Sequence, residues 1–443
     1  MMSRFSLLIG SLLFATYCFA DPDLNTRQGQ VTTADGKPIA GAVIRTIDAQ
    51  ASVREDQICP SIYPGLGKVY TTDAEGKYEL AELHPRLRYQ VAITAPGYKP
   101  HVIEEMTGWV TKPLSNKLQP AAEKLDPAGE VTGHVLDENG KPIAGAVVEF
   151  FGEKMAQSEQ FGSITDVDRY AVSGQDGVFV CEAKGDHRHF FTKVSAYGFA
   201  PQVVLMQAGP DGANDNDVRM SRGCSVTGRL LKDGKPLAGV KMRLSQVNLN
   251  SETCFGFFSI GTDADGRFTF EHLQEVENYQ VLAAIKSLGS RGATPLVKVT
   301  TGALAGQVAD VGDITVGPAV TIRGKCIFPA GAQVKGTAVY ISSSDLDVGT
   351  ATVNEDGTFK IPGIAPGSVS LNVSGPSVGL SADNLSYYPP VRQMIGTVDK
   401  DTTLVLKLEP TTHERHDMSG YSSEVYEAKK TQPLQGITEE EKK

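Results

Sequence analysis

Three short patterns in this chain could do chemistry. His101-Val-Ile-Glu104 sets an imidazole and a carboxylate at the His-x-x-Glu spacing of a zinc hydrolase half-site. Such a site needs a third ligand and an open position for water. His187 and His189 are available, but they belong to a different unit of the chain. Gly375-Pro-Ser-Val-Gly379 matches Gly-x-Ser-x-Gly, in which a strained strand-to-helix turn exposes a nucleophilic serine. The following Leu380-Ser-Ala-Asp-Asn-Leu-Ser-Tyr-Tyr-Pro-Pro390 is no helix, and the histidines beyond it, His413 and His416, lie in a polar tail. Asp263-Ala-Asp-Gly266 looks like part of a calcium loop, yet Gly261 and His272 stand where an EF-hand needs acids. The acidic run Asp211 to Asp217 is read as a solvated loop. The expectation is therefore no enzyme, with no catalytic, metal or cofactor-binding residues.

The cysteines give little more. There are six, and five remain if Cys18 leaves with an export signal, an odd number without zinc-ribbon spacing. Cys181 and Cys326 fall in slots that hold aliphatic or aromatic residues elsewhere and are expected to be buried. Cys224 and Cys254 share one unit and are a candidate disulfide; Cys59 lies in an insert without an obvious mate.

The elements that must position any site come from a repeat. Gly29-Gln-Val-Thr-Thr-Ala-Asp-Gly-Lys-Pro-Ile-Ala-Gly-Ala42 recurs as Gly133 to Ala146 and Gly228 to Val240, with a degenerate copy from Ile322 to Val339. A second phrase, Thr72-Asp-Ala-Glu-Gly-Lys-Tyr78, recurs as Ser173 to Phe179, Thr262 to Phe268 and Val353 to Phe359. Its glycines, Gly76, Gly177, Gly266 and Gly357, recur at about 90–100 residues, the size of a whole domain and not of a solenoid repeat.

Asp-Gly and Asn-Gly supply the positive φ of tight hairpins, so Gly36, Gly140 and Gly234 are expected to turn the first phrase and the four later glycines the second. Pro38, Pro142 and Pro236 cannot donate to a ladder and belong at a strand start or an edge. Between the turns, residues alternate with period two, as in Tyr89, Val91, Ile93 and Ala146, Val148, Phe150. Seven or so short strands per unit point to a two-sheet sandwich. Inserts near 48–70, 152–171, 246–260 and 343–350 vary in length, and variable loops on a fixed frame are where sandwiches recognise ligands. Aromatic residues left over in such loops are Tyr63, Phe255, Phe257, Phe258, Tyr387 and Tyr388, the candidate ligand contacts.

At these phrases, and at Thr94-Ala-Pro-Gly-Tyr98 with its echo Ser195-Ala-Tyr-Gly-Phe199, the chain resembles the carboxypeptidase regulatory-like domain, a transthyretin-like (prealbumin-like) β-sandwich. The resemblance covers nearly all of residues 27–410; the fourth copy lacks the Gly-Lys-Pro turn. It implies a fold and no activity: the module accompanies a separate catalytic domain in zinc carboxypeptidases and recurs in tandem in exported bacterial proteins. It is similar in fold to starch-binding-like and collagen-adhesin B-type modules.

The expected architecture is all-β: four tandem transthyretin-like or immunoglobulin-like sandwiches at 27–121, 127–221, 222–317 and 318–410, joined by brief linkers into a semi-rigid rod. Residues 1–20 read as a signal peptide, with Arg4, an apolar run from Leu7 to Tyr17 and a small residue, Ala20, at the cleavage point. Residues 411–443 are charged, lack aliphatic periodicity and are expected to be disordered. That apolar run is too short to span a bilayer, and no other segment could cross one, so the chain is expected to be exported to the periplasm, the cell surface or the medium. The net charge of −10 disfavours nucleic acid. The expected role is structural or adhesive, toward a surface protein or a glycan. A carbohydrate-binding protein and an accessory subunit of an exported hydrolase remain open alternatives.

Overall fold

The computed structural model of the chain describes residues 24–51, 59–110, 112–123, 125–154, 161–162, 167–183, 189–209, 216–246, 257–274, 279–300, 306–343, 346–375, 378–379 and 393–410. The expected signal peptide and tail lie outside these residues.

The repeated phrases fold as turns held by their own polar atoms. In the second phrase the Asp73 carboxylate accepts from the backbone N–H of Glu75 and Lys77, and Gly76 N–H donates to Asp73 O at 3.0 Å. Gly76, at φ 73°, takes the left-handed conformation that closes the turn. Asp263 repeats this arrangement with Asp265 and Arg267, so the calcium-like acids serve a hairpin. Each of these turns is tied to the first strand of its unit: Val31, Val135, Leu230 and Cys326 donate to the carbonyls of Gly76, Gly177, Gly266 and Gly357. Pro38 and Pro142 sit at single bridges opposite Thr32 and Leu136, and Pro236 ends a two-residue strand opposite Leu231. In the fourth copy a looser turn replaces this arrangement, with Ala332 N–H bonded to Pro329 O.

Four sandwiches follow, built alike. In each, the first strand is central in a sheet, antiparallel to the strand after the second phrase and parallel to the closing strand. In the first unit Asn25–Thr33 lies between Lys77–Leu83 and Leu114–Leu118. The equivalents are Glu130–Asp137, Cys224–Lys232 and Val320–Ile327. The second sheet centres on the strand after the first phrase and its antiparallel partner, as in Val43–Ala51 with Leu87–Thr94. One face of each sheet meets the other in a core: Val31 to Leu118, Val131 to Met220, Cys224 to Val316 and Val320 to Leu408. Cys181 and Cys326 lie within the second and fourth cores, where burial pushes the Cys326 thiol up to about 12.

A hydroxyl buckles three of the four sandwiches. Thr72 Oγ1 donates to Ile39 O at 2.7 Å and accepts from Ala42 N–H; Ser173 and Thr262 do the same with Ile143 and Ala146, and with Leu237 and Val240. In the fourth unit Val353 takes this place and joins the core.

The expected rod is not what the units form. The outer sheet faces of the first and second sandwiches pack on each other through Ile47, Ala92 and Val147, with Val102, Tyr170 and Val172 beside them. The first sandwich also reaches the third, where Gly261 N–H donates to Pro60 O at 3.0 Å. Second and third meet where Gln274 Nε2 donates to Pro201 O at 2.6 Å and the Arg222 guanidinium stands 5.9 Å from the centroid of the Phe199 ring. A single helical turn, Ile285–Leu288, carries Ile285 from the third unit against the fourth core. Apolar residues on outer faces gain more from mutual burial than from water, so the units dock and the chain doubles back.

Candidate binding cleft between the first two sandwiches

A concave feature among the described residues is the cleft where these two outer faces diverge. Its walls come from strands Val43–Ala51, Leu87–Thr94 and His101–Thr107 of the first unit, and Val147–Lys154 and His189–Ser195 of the second. It holds about 170 Å³ and is lined by Asp48, Gln50, Arg88, Gln90, Glu104, Glu105, Glu149 and Lys193, with Ala49.

Strand alternation explains the polar lining. In the second unit Val148 and Phe150 point into the core, so Val147 and Glu149 point out. Glu149 is paired across the sheet with Lys193 on one side and Tyr170 on the other, which makes a polar row beside the apolar row of Val147 and Val172. In the first unit a bulge at Ile47 returns that side chain to the apolar contact, and Asp48 pairs with Gln90 next to it. The two faces thus touch along apolar rows and separate along polar ones.

The charges in the cleft pair off. Arg88 bonds Glu105, and Arg169 reaches Glu104 at 2.8 Å and Glu149 at 3.0 Å across the junction. Burial raises the pKa of Asp48, and Lys193 opposes that rise. At the rim Lys99 Nζ lies 2.7 Å from Asp168 and 3.1 Å from Glu182, a second ion cluster between the units. On these walls Arg88 Nε is buried without a hydrogen bond among the described residues, while the Tyr170 phenol is buried in the adjoining junction beside Glu104. Burial pushes the Tyr170 phenol far above the ordinary tyrosine range, so it stays a neutral donor.

Beyond the polar row the second sheet ends in an apolar ledge. A bulge opposite Phe191 turns Phe151 outward, 41% exposed, with its ring 6.5 Å from that of Phe191, and Leu205 pairs with Phe191 on the next strand.

Apart from Glu104, the residues singled out from sequence lie elsewhere. The turn glycines Gly36, Gly76, Gly140, Gly177, Gly234, Gly266 and Gly357 all have positive φ. Tyr63 and Phe258 pack against the first and third cores. Phe257 lies on the Phe257–Gly261 strand, with only its backbone described, and Phe255, Tyr387 and Tyr388 fall outside the described residues. So does Cys254, and with it the candidate pair; the Cys224 thiol lies 3.7 Å from Gln274 O. His101 begins its strand opposite Ile93, while Glu104 faces Arg169, so this pair is part of the junction and forms no cluster of metal-binding groups among the described residues. His187 and the serine of the Gly375–Gly379 pattern are outside the described residues. The other cleft residues read in sequence as ordinary outward strand positions; the outward valines Val102, Val147 and Val172 are the available signal.

Among solved structures the chain is similar to a Streptococcal ancillary pilin, at 13% identity and TM-score 0.27 over 67% of this chain and 100% of that one. It is also similar to the Bacillus anthracis TIE protein, at 9% identity and TM-score 0.17 over 88% and 76% of the two chains. A third is GBS52, the minor pilin of Streptococcus agalactiae, at 12% identity and TM-score 0.19 over 42% and 96%. No curated protein matches the chain's sequence. Residues 27–115 match the family model of the carboxypeptidase regulatory-like domain. The matched segment falls on the first sandwich.

Proposed function

We propose that this chain is a non-catalytic exported protein whose sandwiches, bounded at 27–121, 127–221, 222–317 and 318–410, form a structural or adhesive scaffold at the cell surface or in the periplasm. One observation carries the reading: the outer face of the first unit is spent on the second, through Ile47, Ala92 and Val147 and the bridges of Lys99 and Arg169. A docked pair presents a fixed composite surface, which lowers the ordering cost of binding another molecule. The polar patterns that resemble catalytic motifs are occupied by turns and ion pairs, as at Asp263 and Glu104.

A carbohydrate-binding role is favoured by a separate feature, the exposed Phe151 beside Phe191 on the outer face of the second unit's sheet. Expression of the full chain in a bacterium, followed by fractionation and N-terminal sequencing, tests export: the chain should leave the cytoplasm with its signal removed. The purified chain should hydrolyse no peptide substrate, with or without added zinc. Zinc-dependent hydrolysis abolished by His101→Ala would overturn the proposal.

A further inference from the structure

We propose that the outer face of the fourth sandwich's first sheet docks an acidic polysaccharide, a polymer of sugar rings bearing carboxylate or sulfate groups. The proposal rests on the non-catalytic adhesive reading above and names the class of surface polymer that this face holds.

Three strands build the face. Val320–Ile327 lies between Thr358–Ile364 and Thr402–Lys407, and its alternate residues Ile322 and Cys326 fill the core. The residues between them therefore point outward. Register sets the outward positions in three rows: Lys360, Arg323 and Thr403; Thr358, Lys325 and Val405; then Ile327 and Lys407. Every row carries a cation. Rows lie about 7 Å apart along the strands and neighbouring strands about 5 Å apart, so the four cations form a diagonal band across the sheet.

The other three sandwiches put acids at such positions. Glu79 pairs with Gln28, Glu182 with Glu130, and Asp313 with Arg229. In the fourth unit the acids stand at the ends of the band instead. Asp401 accepts from the Thr321 N–H and from Arg323 at 2.9 Å, and Asp356 lies in the turn that meets Lys325. Lys325, Lys360 and Lys407 are exposed and make no ion pair among the described residues. Four cations against two acids leave the face positive on a chain whose net charge is −10. Exposed charges are largely screened beyond about 8 Å at physiological salt, so the local band and not the net charge decides what docks here.

The lining fits sugar rings. Across the ladder Val405 faces Lys325 and Ile327, 46% exposed, faces Lys407, so cations and apolar groups alternate on the two diagonals. An acidic sugar carries the matching mixture, an apolar C–H face with an anionic group at its edge. No aromatic ring stands on these rows, so the unpaired bases of a nucleic acid find no stacking platform. A flat, open sheet face also lets a polymer pass across it, where a closed pocket would take only an end.

The test measures binding of the full chain to immobilised heparin and polygalacturonate. Dextran serves as the neutral polymer, and vesicles of phosphatidylglycerol and phosphatidylcholine as an anionic lipid surface. Saturable binding to at least one acidic polymer and none to dextran is expected. Lys325→Gln, Lys360→Gln and Lys407→Gln together should weaken it about tenfold or more, while arginine at the same positions should keep it within about twofold. Lys77→Gln with Lys117→Gln, on the equivalent face of the first unit, should leave it unchanged. The melting temperature checks the fold of each variant, and the single variants Lys360→Gln and Lys407→Gln, each weakened about twofold or more, carry the test if the triple variant unfolds. No binding to either polymer, or equal binding by the glutamine variants, overturns the proposal. Vesicle binding lost in the triple variant, without any polymer binding, overturns it in favour of a lipid surface. Capture of a surface protein that the triple variant leaves unchanged, with no polymer binding, removes only this proposal. Zinc-dependent peptide hydrolysis abolished by His101→Ala removes the wider reading.

Discussion

The ring of Tyr78 lies flat against Gly29, its partner across the sheet, so closely that a Cβ at position 29 would occupy the ring's space. The same pairing recurs at Gly228 with Phe268, where a Cβ would come within 2.7 Å of the ring, and at Gly324 with Phe359, at 2.5 Å. The glycine of the first phrase and the aromatic of the second are thus one device, in which the ring covers a strand glycine from the core side. The second unit also pairs Gly133 with Phe179, but there the nearest obstacle is Asn216 O, at 2.5 Å.

Gly29→Ala is expected to destabilise the first sandwich by about 1–3 kcal/mol, the usual cost of overpacking. Tyr78→Phe is expected to cost about 1–2 kcal/mol, because the buried Asn116 amide donates to the Tyr78 hydroxyl at 2.8 Å. Urea denaturation followed by tryptophan fluorescence, reading Trp109 in the first unit, measures both. Wild-type midpoints in both variants would show that the ring does not need the glycine.

The buckling hydroxyl gives a contrast between units. Ser173→Ala leaves Ala146 N–H and Ile143 O without their partner and is expected to cost about 1–3 kcal/mol. Calorimetry should show the lowered transition, while Val353→Thr in the fourth unit should bring no matching gain, since its surroundings are apolar.

The ion cluster at Lys99 sets a direction for alkaline pH. Burial disfavours the Lys99 charge, but hydrogen bonds from Lys99 to Asp168 and Glu182 outweigh it and hold its pKa above the ordinary lysine value. A raised folded pKa means that its contribution is complete below the unfolded value, about 10.4, and is lost as pH rises through the folded one. The melting temperature of wild type should therefore exceed that of Lys99→Met at pH 8, with the gap closing above about pH 10.5. A gap constant to pH 12 would mean the side chain acts by packing alone.

How much of this could be read beforehand differs by level. The hairpins were legible because Asp73 to Lys77 and its copies are local: an Asx turn and a positive-φ glycine depend on five adjacent residues. The four cores were legible because alternation is strict along strands such as Leu87–Thr94. Docking was not. Ile47 faces the second unit only because a bulge shifts the register after Thr46, and Pro60 meets Gly261 across some two hundred residues of intervening chain. The cleft depends on that docking, so its residues carry no pattern of their own.

The account rests on the first three sandwiches being docked, and the contact of Pro60 with Gly261 tests this most directly. Spin labels at Ile62→Cys, a site 70% exposed, and Asp265→Cys are separated from that 3.0 Å hydrogen bond by only two and four residues. Their Cα atoms must then lie within about 25 Å of each other. Pulsed electron double resonance on the full chain is expected to give one narrow distance distribution at or below roughly 30 Å, label arms included. A broad distribution extending beyond about 45 Å, as independently moving units on short linkers would give, contradicts it.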